Sequence, residues 1–492
     1  MSSRGKVVLF FPSYATEEIA PPIALVSIAG PLMAAGFDVV LVDSSVSEDY
    51  MGAVMAHADD AIALGISIIT GPMIREAVEV GRAWKARSPG APVVMGGWHA
   101  SILPEQTLAA DFVDVVVEKQ GEPAMLELCE QIARGDGHVG VAGTMWQEDG
   151  VAVRGAARAH VPIADLPDRM PGYTLVDPGV YAARTGLRWS MYTASHGCPF
   201  DCAYCSNASV YGRKLDLMPP ARVVEDIAWL VKHHGISLLG FTDDIFFAYQ
   251  DRTLEIAEGL LRAGVVVDWY IQDRADSWAR LSDSEARLLR RAGLVRVHFG
   301  AESGSDDVLR RIDKRSDVAR TLQAVDRCRD AGIRSSFGFI FGLPGETEAD
   351  LRATVDLISA IYARSDRADC HTNIFTPYPG SPLWPESVAR GVVPPETLED
   401  WIGFFPRVTE LPWLQGEAHR RLQDIRLYLR FGFPNVRVGE DRGSLRHRLA
   451  VRTLGPSARW RLRRHRYGAA LEARGYELAQ RWKPAIRVYE RF

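Results

Sequence analysis

Ser195-His196-Gly197-Cys198-Pro199-Phe200-Asp201-Cys202-Ala203-Tyr204-Cys205 places three of the chain's six cysteines within eight residues. In a reducing compartment such a cluster points to metal or redox chemistry rather than disulfides. Thiolates this close on one loop can converge on one iron–sulfur cluster. Only three are supplied, so one iron of a four-iron cluster would stay open to another ligand. An open coordination position is a mark of catalysis at metal sites. A structural zinc site would need a fourth Cys or His at normal spacing. His196 is too near in sequence, and no second Cys pair follows.

Working outward, six strand candidates alternate with helical patterns. They are Trp189–Thr193, Leu238–Thr242, Trp269–Gln272, Val295–Phe299, Ser336–Phe341 and His371–Phe375, with helices such as Ala221–His233, Ser282–Ala292 and Ser316–Ala331 between them. Six βα units predict a partial (β/α)6 barrel with its chemistry at the carboxyl ends of the strands. The cysteine loop follows the first strand. The adjacent carboxylates Asp243 and Asp244 follow the second, where they could accept hydrogen bonds from an ammonium. Glu302 and Ser303 follow the fourth. The fifth carries Gly338, Ile340 and Gly342, whose glycines let a ligand approach the backbone.

C-x3-C-x2-C with an aromatic before the last Cys, followed in order by these elements, resembles the radical S-adenosylmethionine (SAM) superfamily. The resemblance implies that Cys198, Cys202 and Cys205 ligate three irons of a [4Fe–4S] cluster. The amino and carboxylate groups of S-adenosylmethionine would chelate the fourth. Reduction would then cleave the sulfonium to a 5′-deoxyadenosyl radical. Tyr204, Asp243, Asp244, Glu302, Ser303, Gly338, Ile340 and Gly342 are the implied S-adenosylmethionine-binding residues, and a flavodoxin- or ferredoxin-like protein is the implied electron donor. Thr376–Leu383 resembles the segment that ends the barrel in one large subgroup.

The first ~120 residues read as a doubly wound sheet. Lys6–Phe11, Val39–Val42, Ala61–Ile69, Val93–Met95 and Val113–Val117 are the strands, and Ile23–Ala35 is a helix ending at Gly36. Small or polar residues follow the strands, where ligands of such sheets bind. Residues 1–125 resemble the cobalamin-binding domain of that subgroup through Gly96–Ala100, Leu103–Glu105, Asp114–Val117 and Gly121-Glu122. By that resemblance Ser67, Thr70, Gly71, Gly96, Gly97, Trp98, His99, Gly121 and Glu122 bind cobalamin. There is one departure. The loop Pro12–Glu18 lacks the histidine with which many cobalamin proteins ligate cobalt from below. The Ile69-Thr70 loop is the expected floor instead, and His99 is read as a hydrogen-bonding or turn residue rather than a ligand.

The expected organisation is therefore α/β. A Rossmann-like domain (1–125) leads through a connector with a hairpin turning at Asp149-Gly150 (126–187). The barrel (188–390) and a helical, basic C-terminal region (391–492) follow. The net charge of −5 conceals an asymmetry, because residues 441–492 carry 14 Lys+Arg against 4 Asp+Glu. The excess fits either a solvated basic helical face or a surface for an acidic substrate, a peptide partner or an anionic membrane surface. Cys129 and Cys328 read as core, and Cys370 lies at the wrong end of the sixth strand for chemistry. There is no signal peptide and no membrane-length apolar run, so a cytoplasmic protein is expected.

The resemblance implies a cobalamin-dependent radical methyltransferase acting on an unactivated carbon of a small-molecule, lipid or peptide substrate. A cyclase, ring-contracting or oxidative enzyme of the same architecture is the alternative. No nucleic-acid partner is expected. The related RNA- and protein-modifying methylthiotransferases carry extra cysteines in the first domain, and residues 1–125 contain none. An iron–sulfur sensor would not need the nucleoside-binding elements.

Overall fold

The structure is a computed structural model that describes residues 4–14, 19–404, 410–433, 436–437 and 445–468. Two largely parallel sheets organise it. In the first, Lys6–Phe11 lies between Asp38–Asp43 and Ala61–Ser67, and the sheet continues through Val93–Gly96 and Val115–Val117. Val7, Val8, Leu9 and Phe10 are all buried, because helices cover both faces of this sheet. The connector's hairpin, Thr144–Glu148 with Val151–Arg154, joins antiparallel to Val115–Val117 and so extends the same sheet.

The helix Ile23–Ala34 is apolar nearly all round, as expected of a helix covered on more than one side. One side faces the sheet. The other receives the turn Met170–Leu175, and a Cβ on Gly172 would come within 2.1 Å of the Val26 carbonyl oxygen. No larger residue fits that crossing.

The second sheet runs Trp189–Tyr192, Leu238–Phe241, Asp268–Asp273, Leu294–Glu302, Arg334–Phe341, Ala368–Ile374, all parallel. These are the six barrel strands read from the sequence. The C-terminal region departs from its all-helical expectation. Val436–Arg437 pairs in parallel with Cys370 and His371, covering part of an otherwise open sheet edge. Helix Gly416–Gly432 then packs on the barrel and helix Leu445–Arg463 packs on it. The basic tail beyond residue 468 lies outside the described residues.

The two halves are joined by more than the connector. Leu398 and Trp401, far along the chain, complete the core of the first domain, and the Trp401 indole N–H donates to Gln106 Oε1 at 2.5 Å. Tyr181 donates to Asp43 at the end of the second strand, 2.7 Å away and buried. Among the described residues no helix is long and apolar enough to cross a membrane.

Candidate functional site

The carboxyl ends of both sheets face one cavity of about 1880 Å³. Its barrel wall includes Cys198, Cys202, Cys205, Tyr204, Asp244, Glu302, Gly338 and Ile340. Its opposite wall includes Ser67, Gly96, Gly97, Trp98, Gly121 and Glu122. Pockets for single drug-sized ligands run to roughly 300–1,000 Å³, so this space suits more than one large group.

The cysteine loop is held from behind. Ala203 N–H donates to Ile312 O and Leu383 N–H to Ala203 O, both at 2.8 Å. None of the three cysteines is in a disulfide. Burial is the main reason that the Cys198 thiol is pushed up and that of Cys205 reaches about 11. Among the described residues no three or more His, Cys, Asp or Glu converge on a single metal ion, whereas separate irons of one cluster would each deprotonate the thiol they take. Arg274, buried at the end of the third barrel strand, stacks over Phe200 at 3.8 Å and points Nη1 at Cys202 Sγ, 3.9 Å away. It also donates to the Lys314 carbonyl and, through Nε, to Asp276 at 3.0 Å. One guanidinium thus ties the cysteine loop to the turn that carries Lys314.

Glu302 has φ +61°, a left-handed conformation uncommon for a non-glycine residue, and the ladder shifts register between Gly300 and Glu302. Strain of this kind, with a bulge, re-aims a side chain at a functional site. The result is a buried triad. Tyr204 OH donates to Glu302 Oε1 at 2.7 Å, and Lys314 Nζ reaches Glu302 Oε1 at 2.8 Å and Tyr204 OH at 3.1 Å. A Cβ on Gly300 would stand 2.1 Å from Glu302 Oε1 and 2.8 Å from Lys314 Nζ, so only glycine leaves room for the pair. Lys314 itself sits between Asp313 and Arg315, both also left-handed at φ +50° and +52°.

On the first-domain side one part of the wall is apolar and small, beside the polar Ser67, Lys119, Gln120 and Glu122. Leu9, Leu25, Ile28, Gly65, Val94, Val117 and Met125 line a slot over the sheet, between helices Ile23–Ala34 and Gly121–Arg134. A Cβ on Gly65 would meet Leu9 at 2.8 Å and Met125 at 3.2 Å, which would narrow the slot. Gly97 has φ +95°, and its Cβ would press within 2.4 Å of Ile68 O. Trp98 meets Tyr211 edge-on at 5.7 Å, and Tyr211 stacks on His196 at 5.5 Å, joining this wall to the cysteine loop.

Several expected site residues lie behind the walls rather than on them. Asp243 is fully buried and accepts from Ala194 N–H at 3.0 Å and from the Ser195 hydroxyl. It braces the segment entering the cysteine loop, while Asp244 lines the cavity. Ser303 is buried against Thr354, their hydroxyls 3.2 Å apart. Gly342 donates its N–H to Glu346 at 2.6 Å and accepts from the Trp413 indole. Gly71 is buried, with φ +121° in the turn before helix Met73–Arg87. Thr70 and His99 are both buried, with Thr70 Oγ1 2.9 Å from His99 Nδ1, and Trp401 sits edge-on to the imidazole. In the loop after the third strand, Ile69 and not Thr70 lines the cavity. Conversely, sequence reasoning missed Lys314, Arg274, His298, His371 and Asn373. The three barrel residues could have been found from period-2 alternation, because they share the lumen face with Gly300 and Gly338. Nothing regular marks Lys314.

The profile of the radical SAM superfamily matches residues 192–358, and that of the B12 binding domain matches residues 15–129. The chain thus carries a radical SAM domain and, ahead of it, a B12-binding domain. A [4Fe–4S] cluster, S-adenosylmethionine and cobalamin are its cofactors. An uncharacterised methyltransferase of Pyrococcus horikoshii is 28% identical over 379 residues, covering 76% of this chain and 80% of that protein. The anaerobic magnesium-protoporphyrin IX monomethyl ester cyclase of Rubrivivax gelatinosus is 28% identical over 397 residues, covering 77% and 70%. The solved radical SAM methyltransferase TsrM from Kitasatospora setae, with cobalamin and a [4Fe–4S] cluster bound, has the same fold (TM-score 0.66, 21% identity, 79% and 78% of the two chains).

Proposed function

We propose that this chain is a cobalamin-dependent radical methyltransferase that acts on an unactivated carbon of a biosynthetic small molecule. The observation that carries the reading is the single cavity shared by the cysteine loop, the Glu302–Lys314–Tyr204 triad and the glycine-lined wall of the B12-binding domain. A methyl donor, a radical source and a substrate can meet only if no protein wall divides them. When bound, the cluster, S-adenosylmethionine and cobalamin supply radical generation and a transferable methyl group.

The protein's part is binding and orientation. Cys198, Cys202 and Cys205 would hold the cluster. Asp244 would accept from the ammonium of S-adenosylmethionine. Glu302 would accept from its ribose, with Tyr204 and Lys314 fixing the carboxylate in place. Gly338 and Ile340 would support the adenine. Gly96, Gly97 and Gly121 would admit the corrin, the slot between the two helices its nucleotide tail, and Ile69 would underlie the cobalt. Trp98 and Tyr211 would shield the junction of the two halves from water, which protects a reactive intermediate.

A second reading, radical cyclisation or another oxidation without methyl transfer, is kept in view because the cyclase relative is as similar as the methyltransferase. It retains the same residue roles on the barrel side. Anaerobic reconstitution with iron, sulfide and hydroxocobalamin, followed by dithionite, S-adenosylmethionine and candidate substrates, separates the two. Methyl transfer yields a methylated product with 5′-deoxyadenosine and S-adenosylhomocysteine. 5′-Deoxyadenosine with a cyclised or oxidised product, and no S-adenosylhomocysteine, overturns the methyltransferase reading.

A further inference from the structure

Residues 445–468, none of which lines the cavity, contain eight arginines and no acidic residue. The inward side of helix Leu445–Arg463 is fixed by packing. Gly455, Ala458 and Leu462 are buried, and a Cβ on Gly432 would meet Leu462 at 2.9 Å. Two of the arginines are used internally. Arg459 Nη1 donates to Gly432 O at 3.1 Å, and Arg461 lies over Tyr428 at 5.4 Å while donating to Gly468 O. Both brace the helix on its neighbour.

The outward side is different. Arg452, Pro456, Trp460, Arg463 and Arg464 are exposed and recur at helical spacing, so they share one face. Trp460 is 49% exposed, unusual for so large an aromatic, and Arg466 stands 6.0 Å over its ring. None of Arg452, Arg463, Arg464 and Arg466 has an acidic partner among the described residues. Asp356, from helix Glu348–Arg364, lies 3.4 Å from His465. An indole centred in unpaired guanidinium groups is the arrangement that seats at a lipid headgroup layer. The ring fills the apolar–polar boundary while the arginines meet anionic headgroups. The face is a convex helix side. Single-stranded nucleic acid is usually gripped in a positive groove with successive stacking platforms.

We propose that this Arg452–Trp460–Arg464 face docks the enzyme on an anionic lipid surface. The test uses full-length reconstituted protein and sedimentation with vesicles. One set is phosphatidylcholine alone and the other is equal parts phosphatidylcholine and phosphatidylglycerol. The expected result is binding to the second set only, weakening as salt rises. The double variant Arg463→Gln/Arg464→Gln should bind roughly 25-fold more weakly, about fivefold per basic residue at such a surface. Its thermal unfolding and circular dichroism should match the unaltered protein. Trp460→Ala should weaken binding without changing the salt slope. Equal sedimentation with both vesicle sets, or with neither, overturns the proposal. So does tight binding of a single-stranded RNA oligomer by protein that ignores the anionic vesicles.

Discussion

The two walls of the cavity are made in different ways. The barrel wall is built from charged and reactive side chains at strained positions: three thiols, the Glu302–Lys314 pair held with Tyr204, and left-handed backbone at residues 302, 313 and 315. The first-domain wall is built from what is missing. Gly65, Gly96, Gly97 and Gly121 leave out side chains, and Leu9, Ile28 and Met125 supply a smooth apolar slot. A group held by coordination and ion pairing needs particular atoms at particular places. A large cofactor held mostly by shape needs room. The two walls should therefore fail differently when altered, the first by losing chemistry outright and the second by degrees.

The largest loss is expected at the cysteines. Cys202→Ala removes one of only three thiolates, so iron content and reductive cleavage of S-adenosylmethionine should fall to background, as read by iron assay and 5′-deoxyadenosine formation. Retained iron with full charge-transfer absorbance would contradict the assignment. Lys314→Met comes next. Lys314 and Glu302 each keep only 8% of their side-chain surface exposed. Removing the ammonium leaves a buried carboxylate unpaired, which costs about 3–5 kcal/mol. The expected outcome is a lowered unfolding midpoint together with weakened S-adenosylmethionine binding in an equilibrium titration, while cobalamin retention stays unchanged. Loss of cobalamin as well would show that the walls are not independent.

The same contrast explains what could be read in the sequence. All six barrel strands, the five parallel strands of the first domain and the cysteine loop were legible, because periodicity and metal-ligand spacing are local properties. The adjacent pair Asp243-Asp244 was legible as a pair but not in its division of labour. Successive residues point to opposite sides, and only packing decides which side is the cavity. Lys314 was invisible because its placement depends on two left-handed residues and on a guanidinium forty positions earlier in the chain. His99 was legible as a hydrogen-bonding residue but not as a buried one. It lies in a glycine-rich stretch that resembles the cofactor loop, yet it is turned into the core, where Trp401 from a remote segment covers it. The hairpin at Asp149-Gly150 was readable as a hairpin. Its membership of the first sheet was not, since edge pairing is a long-range contact.

Filling the permissive wall tests the other half of the contrast. Gly96 has ordinary backbone torsion, and a Cβ there meets nothing closer than Val117 at 3.8 Å. Gly96→Leu should therefore fold normally and project into the cavity. Overpacking of this kind costs about 1–3 kcal/mol, here expressed against cobalamin rather than against the fold. Cobalamin retained after desalting should drop by one to two orders of magnitude, with the iron content intact. Unchanged retention would place the corrin elsewhere than over the Gly96-Gly97 turn.

The smallest effect concerns the pH dependence of the shape-based wall. His99 is fully buried, and desolvation lowers its pKa from 6.5 to about 4. Between those values the unfolded chain binds a proton that the folded protein excludes, so stability rises with pH across that window and is lost as pH falls from about 6.5 toward 4. The slope from one such group is at most about 1.4 kcal/mol per pH unit. Thermal unfolding followed between pH 4.5 and 6.5 should show it, and His99→Gln, which can still hydrogen-bond Thr70, should flatten it. His99 adjoins the cavity wall without lining it, through Thr70 next to Ile69 and through its own neighbour Trp98. In the folded protein the imidazole stays neutral down to about pH 4, so the absorption spectrum of bound cobalamin should be unchanged across this window while stability changes. A flat stability profile between pH 4.5 and 6.5 in the unaltered protein, or a slope that survives in His99→Gln, would show that the buried imidazole carries no proton linkage.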